Sequence, residues 1–218
     1  MTKELLKKYL EEQLIENILD EDYPTTWNLE EFKQLKGFAA RVKYCDTHLQ
    51  KIKAGTGRIA YKIDNEKVLK LAKNQKGVAQ NEVEAQYGND YYFEGILAKT
   101  FEVGPGDLWI EMELARKVTP TIWKKHFGYD INTIGSYLKQ RYYENRGQRY
   151  YSSLDPAVKD ALDQNQDVQS LYDFAEATES VGDLARLSTY GLVIRDGQEA
   201  IVLIDYGLTG AVYDSYYA

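Results

Sequence analysis

The stretch that most constrains this chain is Ile201–Gly207, Ile-Val-Leu-Ile-Asp-Tyr-Gly. Its four-residue apolar run reads as a buried strand. The aspartate stands where that strand emerges, and the glycine lets the backbone turn sharply behind it. Upstream, Tyr190 to Arg195 reads as a strand, Asp196-Gly197 as a hairpin turn and Ala200 to Ile204 as the return strand. Asp205 is thus delivered to the rim of a buried hairpin. A carboxylate there can hold a metal ion; the same residues taken alone also describe a strand closed by an Asp-x-Gly turn.

The chain leading to this hairpin changes texture twice. Residues 3–19 place Leu6, Leu10, Leu14 and Ile18 four or so residues apart among Lys and Glu, the pattern of an amphipathic helix. Asp20 to Thr26, with Pro24, is a linker. Asn28 with Glu31 three residues on resembles a capping box, opening a helix that turns Leu29, Phe32, Leu35, Ala39 and Val42 inward. From about Leu49 the pattern becomes strand-like. Ile59, Tyr61 and Ile63 alternate with polar residues, Asp64-Asn65 turns the chain, and Val68 to Ala72 returns, so residues 49–72 predict a hairpin. Ala54-Gly55-Thr56-Gly57-Arg58 is a glycine turn, where backbone N–H groups can approach a phosphate or simply reverse the chain.

A helix is expected over 77–88, then strands over 97–103 and 108–114 around the turn Gly104-Pro105-Gly106-Asp107. After Ala115 the chain reads as helical. Thr119-Pro120 and Asp155-Pro156 each place a cap before a proline at the first helical position. Asp130 caps a helix carrying Ile131, Ile134, Leu138 and Tyr142. Glu144 to Ser153 is a polar loop, and a helix over 165–179 turns Val168, Leu171 and Phe174 inward. Val181 to Ser188 breaks the helical pattern.

Composition narrows the chemistry. A net charge of -7 argues against broad nucleic-acid binding. One cysteine, Cys45, excludes an internal disulfide framework and fits a reducing cytoplasm. Cys45 and two histidines cannot build a zinc site of the usual kind. No apolar run approaches the roughly 20 residues of a membrane helix, and the charged N-terminal segment is unlike a signal peptide. A soluble, cytoplasmic protein is expected, in the host cytoplasm if a phage encodes it.

Lys70 lies between Leu69 and Leu71 on a strand face shared with Val68 and Ala72. A lysine there is costly unless it meets an anion; as an edge-strand residue it would instead point to water. A glycine turn, this lysine, an acidic helix and two aspartates flanking a hairpin follow one another in order. That order resembles the protein-kinase-like superfamily, including aminoglycoside phosphotransferases. Ala54–Ala60 looks like a shortened Gly-rich loop. Val68-Leu69-Lys70 is similar to the Val-Ala-x-Lys strand. Met112 to Ala115 resembles the hinge, Gly182-Asp183-Leu184 the His-Gly-Asp-Leu catalytic loop, and Asp205-Tyr206-Gly207 the Asp-Phe-Gly motif. Gly-Asp-Leu-Ala-Arg before a hairpin ending in Ile-Asp-Tyr-Gly-Leu-Thr also resembles a group of uncharacterised phage and bacterial kinase-like proteins.

The resemblance implies an α+β, bilobal fold. A strand-rich N-lobe would span 49–115 and a minimal, mainly helical C-lobe 116–218, preceded by an N-terminal helical extension over 1–48. It implies ATP and Mg²⁺ as cofactors. Gly55, Thr56 and Gly57 would cover the phosphates. Lys70 would hold the α/β-phosphates, paired with Glu82, with Glu84 the alternative. Backbone groups of Glu113 and Ala115 would hold adenine. Asp183 would orient or accept the proton of the attacking hydroxyl, and Asp205 with Ser188 would hold the metal.

Three departures qualify this. Ser188 stands where the family has a metal-binding asparagine. Val181 precedes Gly182, so no catalytic-loop histidine is present. Only eleven residues follow Gly207, where a protein kinase carries its peptide-docking platform. Either the acceptor is small, or a partner supplies the platform, or the N-terminal helices fill the space. Those helices also offer a surface for homo-oligomers. The expectation is an ATP/Mg-dependent phosphotransferase acting on an unidentified protein or small-molecule hydroxyl. The alternatives are a pseudokinase-type nucleotide-binding or interaction module without turnover, or an unrelated α+β interaction protein.

Overall fold

In the computed structural model, residues 26–151 and 154–218 are described. The helix expected over 3–19 and most of the linker lie outside them. Two antiparallel sheets organise the rest. The first has five strands in the order β1-β2-β3-β5-β4: β1 Gln50–Ala54, β2 Arg58–Lys62, β3 Lys67–Ala72, β4 Thr100–Val103 and β5 Trp109–Glu113. The second has three strands, β6 Arg116–Lys117, β7 Tyr190–Arg195 and β8 Gln198–Leu203. The expected α+β class is therefore the one observed.

Residues 49–72 form three strands, not a two-stranded hairpin. The missed member is β1, whose short alternation of Ile52 and Ala54 with lysines buries nothing, all five residues being exposed. It pairs with β2, Lys51 facing Tyr61 and Ala54 facing Ile59. Strand β3 is central, flanked by β2 and β5, and Lys70 pairs across to Ala60 on one side and Ile110 on the other.

Two helices cover one face of this sheet, α1 Leu29–Gln34 and α2 Phe38–His48. Asn28 caps α1 by accepting from the N–H groups of Glu30 and Glu31. The reciprocal half of the capping box is absent, because Glu31 instead accepts the Tyr44 hydroxyl at 3.0 Å. Under α1, Phe32 packs edge-on against Trp109 with centroids 5.4 Å apart. Ile59, Tyr61, Leu69 and Leu71 complete that cluster. Period-two alternation sends those residues to the covered face and Arg58, Ala60, Lys70 and Ala72 to the other.

The other face receives α3, Gln75–Tyr87. Beyond β5 come α4 Pro120–Phe127, α5 Ile131–Asn145, α6 Pro156–Asp163 and α7 Gln166–Thr178, packed with the second sheet around Trp123, Ile134, Leu138, Leu162, Val168, Leu171 and Phe174. The expected caps form: Thr119, Asp130 and Asp155 each accept backbone N–H groups at their helix starts.

The segment expected to break the helical pattern holds a one-turn helix, α8 Val181–Leu184, and a 3-10 turn over Leu187–Thr189. Another short helix, α9 Gly210–Tyr216, follows Asp-Tyr-Gly, capped by Thr209. No helix among the described residues is long and apolar enough to cross a membrane.

Candidate functional site

The site lies where β2, β3, α3 and the end of β8 meet. Lys70, 11% exposed at its side chain, donates to Glu84 Oε2 at 2.8 Å and to the Ile204 carbonyl at 2.6 Å. Burial pushes its ammonium below the usual lysine range, against the attraction of Glu84. Glu84 is fully buried. Glu82, the expected partner, is exposed on the opposite side of α3. At 3.6 residues per turn the two lie about 200° apart, so only one can face the sheet. The buried stripe of α3 is Gly77, Asn81 and Glu84, a spacing of four and three residues.

Arg58 was missed as a site residue. It is 9% exposed. Its Nη1 donates to Glu84 Oε2 at 2.6 Å and to Asn81 Oδ1 at 3.3 Å. Its Nη2 donates to Glu84 Oε1 at 3.0 Å and to Asp205 Oδ1 at 2.6 Å. Its place on the strand face of Ala60, next to Lys70, was the available clue.

Asp205 is 53% exposed at its side chain. Desolvation works to raise its pKa, but Arg58, Lys70 and Lys53 outweigh it and hold the carboxyl below the usual range. Asp183, on α8, is 22% exposed at its side chain and meets Arg186 Nη1 at 3.1 Å. Desolvation, opposed by Arg186 and reinforced by the neighbouring Asp205 charge, raises its pKa. Thr189 donates its hydroxyl to the Asp183 carbonyl at 3.0 Å, fixing the turn. Ser188 is exposed in the same turn, with no structural link to Asp205 among the described residues.

The glycine turn is pinned. Lys73 donates its N–H to the Gly57 carbonyl at 2.8 Å and its ammonium to the Gly55 carbonyl at 3.0 Å. Asn74 donates to the Thr56 carbonyl at 3.1 Å. Exposed Thr56 keeps an N–H with no partner among the described residues. Gly57 and Gly77 touch so closely that a Cβ on Gly77 would overlap the Gly57 carbonyl.

At the expected hinge, the Glu113 and Leu114 N–H groups donate to the carbonyls of Lys99 and Glu66. The Glu113 carboxylate accepts from Arg195, so its side chain ties the two sheets together. Half-buried Ala115, between β5 and β6, is the position left to present backbone groups.

After Asp205 the chain turns back onto α3. The buried Tyr206 hydroxyl lies 3.0 Å from the Ala98 carbonyl and 3.3 Å from that of Glu84. A Cβ on Gly207 would overlap the Gln80 backbone. Lys76 sits over the Tyr217 ring, 4.2 Å from its centroid.

No known family model matches the chain, and no curated protein does. Solved structures that it resembles include the GDP and kanamycin complex of APH(2")-IIia, at 11% identity over 73% of this chain and 66% of that one, with a TM-score of 0.33. ADP-bound aminoglycoside phosphotransferase APH(2'')-Ib is similar at 12% identity, over 73% and 65%, with a TM-score of 0.32. The chain thus spans just under two thirds of those proteins. A likeness that slight carries neither activity nor substrate to this chain.

Proposed function

We propose that this chain is a kinase-like phosphotransferase that uses ATP and Mg²⁺ to transfer a phosphoryl group to a protein or small-molecule hydroxyl. The observation that carries the reading is the buried Lys70–Glu84 pair, joined through Arg58 to Asp205. An ammonium kept in place by a buried carboxylate suits the holding of phosphates, and phosphoryl transfer needs positioning and charge neutralisation above all.

On this reading Lys70 donates its remaining proton to a phosphate oxygen, while the Thr56 N–H and the pinned turn of Gly55 and Gly57 cover the phosphates. Asp183, its pKa raised by burial and by Asp205, takes or orients the proton of the acceptor hydroxyl. Ala115 lines the adenine end, the Glu113 N–H being taken by the Lys99 carbonyl. The donor set fits one divalent ion: a half-exposed carboxylate at Asp205, with substrate phosphates completing the shell. When bound, that ion would neutralise charge developing on the phosphates. Ser188 would reach it only through water. Residues 49–115 and 116–218 would act as the two lobes, with the helices Leu29–Gln34 and Phe38–His48 lying on the outer face of the first sheet.

The occupied Asp205 oxygen also favours a second reading, a nucleotide-binding module without turnover. Thermal melts with ATP, with and without Mg²⁺, address both. Ligand at 100 times its dissociation constant adds about 2.7 kcal/mol of stability. A melting temperature unmoved by millimolar ATP sinks both readings. Asp183→Ala should keep the ATP shift and lose transfer of labelled γ-phosphate. If the unaltered protein shifts with ATP yet labels neither itself, water nor a lysate, the module reading stands instead.

A further inference from the structure

One guanidinium joins three parts of this site. Arg58 lies just after the glycine turn, and its two Nη groups reach Glu84, Asn81 and Asp205. Each Nη carries two protons, and each proton has its acceptor. Arg58 therefore has no Nη donor left for a phosphate. Lys70 differs: among the described residues two of its three donors are engaged, by Glu84 and the Ile204 carbonyl, leaving one.

The charges of Arg58, Lys70, Glu84 and Asp205 sum to zero without any ion. Among the described residues no group of three or more His, Cys, Asp or Glu is arranged to hold a metal. Asp183 is turned to Arg186 and Ser188 is exposed.

We propose that Arg58 is a positioning residue that serves as a built-in cation at Asp205. It holds that carboxylate against Glu84 and α3 before any ligand arrives, and by taking Oδ1 it leaves Asp205 one oxygen for a single divalent ion. The nucleotide as ligand rests on the phosphotransferase reading; the competition between Arg58 and a cation for Asp205 does not.

Loss of the guanidinium must then move two affinities in opposite directions. It frees Oδ1 and leaves the cluster at net negative charge, so a cation binds better. It removes positive charge near the phosphates, so metal-free nucleotide binds worse.

The test is calorimetric titration of Mn²⁺ alone, and of ATP in EDTA, into the folded full chain and two variants. For Arg58→Met, Mn²⁺ should bind about tenfold tighter and metal-free ATP about tenfold weaker, as expected for one charge near a partly exposed site. Arg58→Lys keeps the charge but cannot fork between two carboxylates. It should tighten Mn²⁺ about threefold while holding metal-free ATP within about twofold.

A merely structural arginine would weaken both ligands together, and that result overturns the inference. So does an unchanged or lower Mn²⁺ affinity in Arg58→Lys, which decides the matter if Arg58→Met does not fold. Failure of all three proteins to bind Mn²⁺ overturns it too. If the unaltered protein binds no ATP with or without Mg²⁺, the functional reading fails and the Mn²⁺ arm alone judges Arg58.

Discussion

Replacing Glu84 by Gln should be among the most damaging isosteric changes in this chain. Glu84 is fully buried and accepts from Arg58 at 2.6 and 3.0 Å and from Lys70 at 2.8 Å. Glutamine keeps one acceptor, but its amide turns two protons toward donors. Whichever way it is flipped, Arg58 loses an acceptor, Lys70 loses one too when the amide nitrogen replaces Oε2, and two buried cations face a neutral group. Removing one partner of a buried pair costs about 3–5 kcal/mol. For a domain of this size each kcal/mol moves the melting temperature by about 2–4 °C, so a drop of roughly 6–20 °C is expected. Urea unfolding should show the midpoint falling with an unchanged slope, the sign of lost stability and not of an altered unfolded state. Glu82→Gln, two residues away and exposed, is the control and should stay within about 0.5 kcal/mol. Adding Arg58→Met to Glu84→Gln removes the stranded guanidinium, so the double variant should recover part of the loss, with a coupling of about 1–3 kcal/mol. A Glu84→Gln cost below about 1 kcal/mol, indistinguishable from the Glu82 control, would refute the idea that this carboxylate holds the site together.

Gly77→Ala should destabilise by about 1–3 kcal/mol or more in urea unfolding, because its Cβ overlaps the Gly57 carbonyl. Gly55→Ala, whose Cβ would lie 3.7 Å from the Arg58 carbonyl, should be nearly silent. Arg41 is 9% exposed and its Nε is buried with no hydrogen-bond partner among the described residues, so Arg41→Met should raise stability by about 1 kcal/mol in the same assay. Asp183 has a raised pKa in the folded state. Its penalty is absent below the ordinary carboxylate pKa, grows as pH rises and is complete once pH passes the folded value. Asp183→Asn should therefore melt higher than the unaltered protein at neutral pH, with the gap closing near pH 4; a gap that widens in acid contradicts the assignment.

Much of the architecture was legible because it is local. The caps at Thr119, Asp130 and Asp155, the Asp196-Gly197 turn and the alternation of β2 depend on residues within one turn or one strand of each other. So did the prospect that Lys70 needs an anion, which its strand neighbours offered beside an edge-strand reading; the structure buries it on a central strand. The exposed β1 and the two-residue β6 escaped because neither buries an apolar face; both are held by the strands they pair with.

The site was half legible for the same reason. The sequence by itself determined that a lysine, an acidic helix and an aspartate at a strand end would occur in that order. It did not determine which glutamate faces inward, since that depends on the rotation of α3 when Gly77 seats against Gly57. Nor did it reveal Arg58, whose acceptors stand 26 and 147 residues further along the chain. Only the tertiary structure decided that the residues after Asp205-Tyr206-Gly207 close back on α3. Charges meet in a buried site when packing brings distant strands and helices together, and no local rule of spacing encodes that meeting.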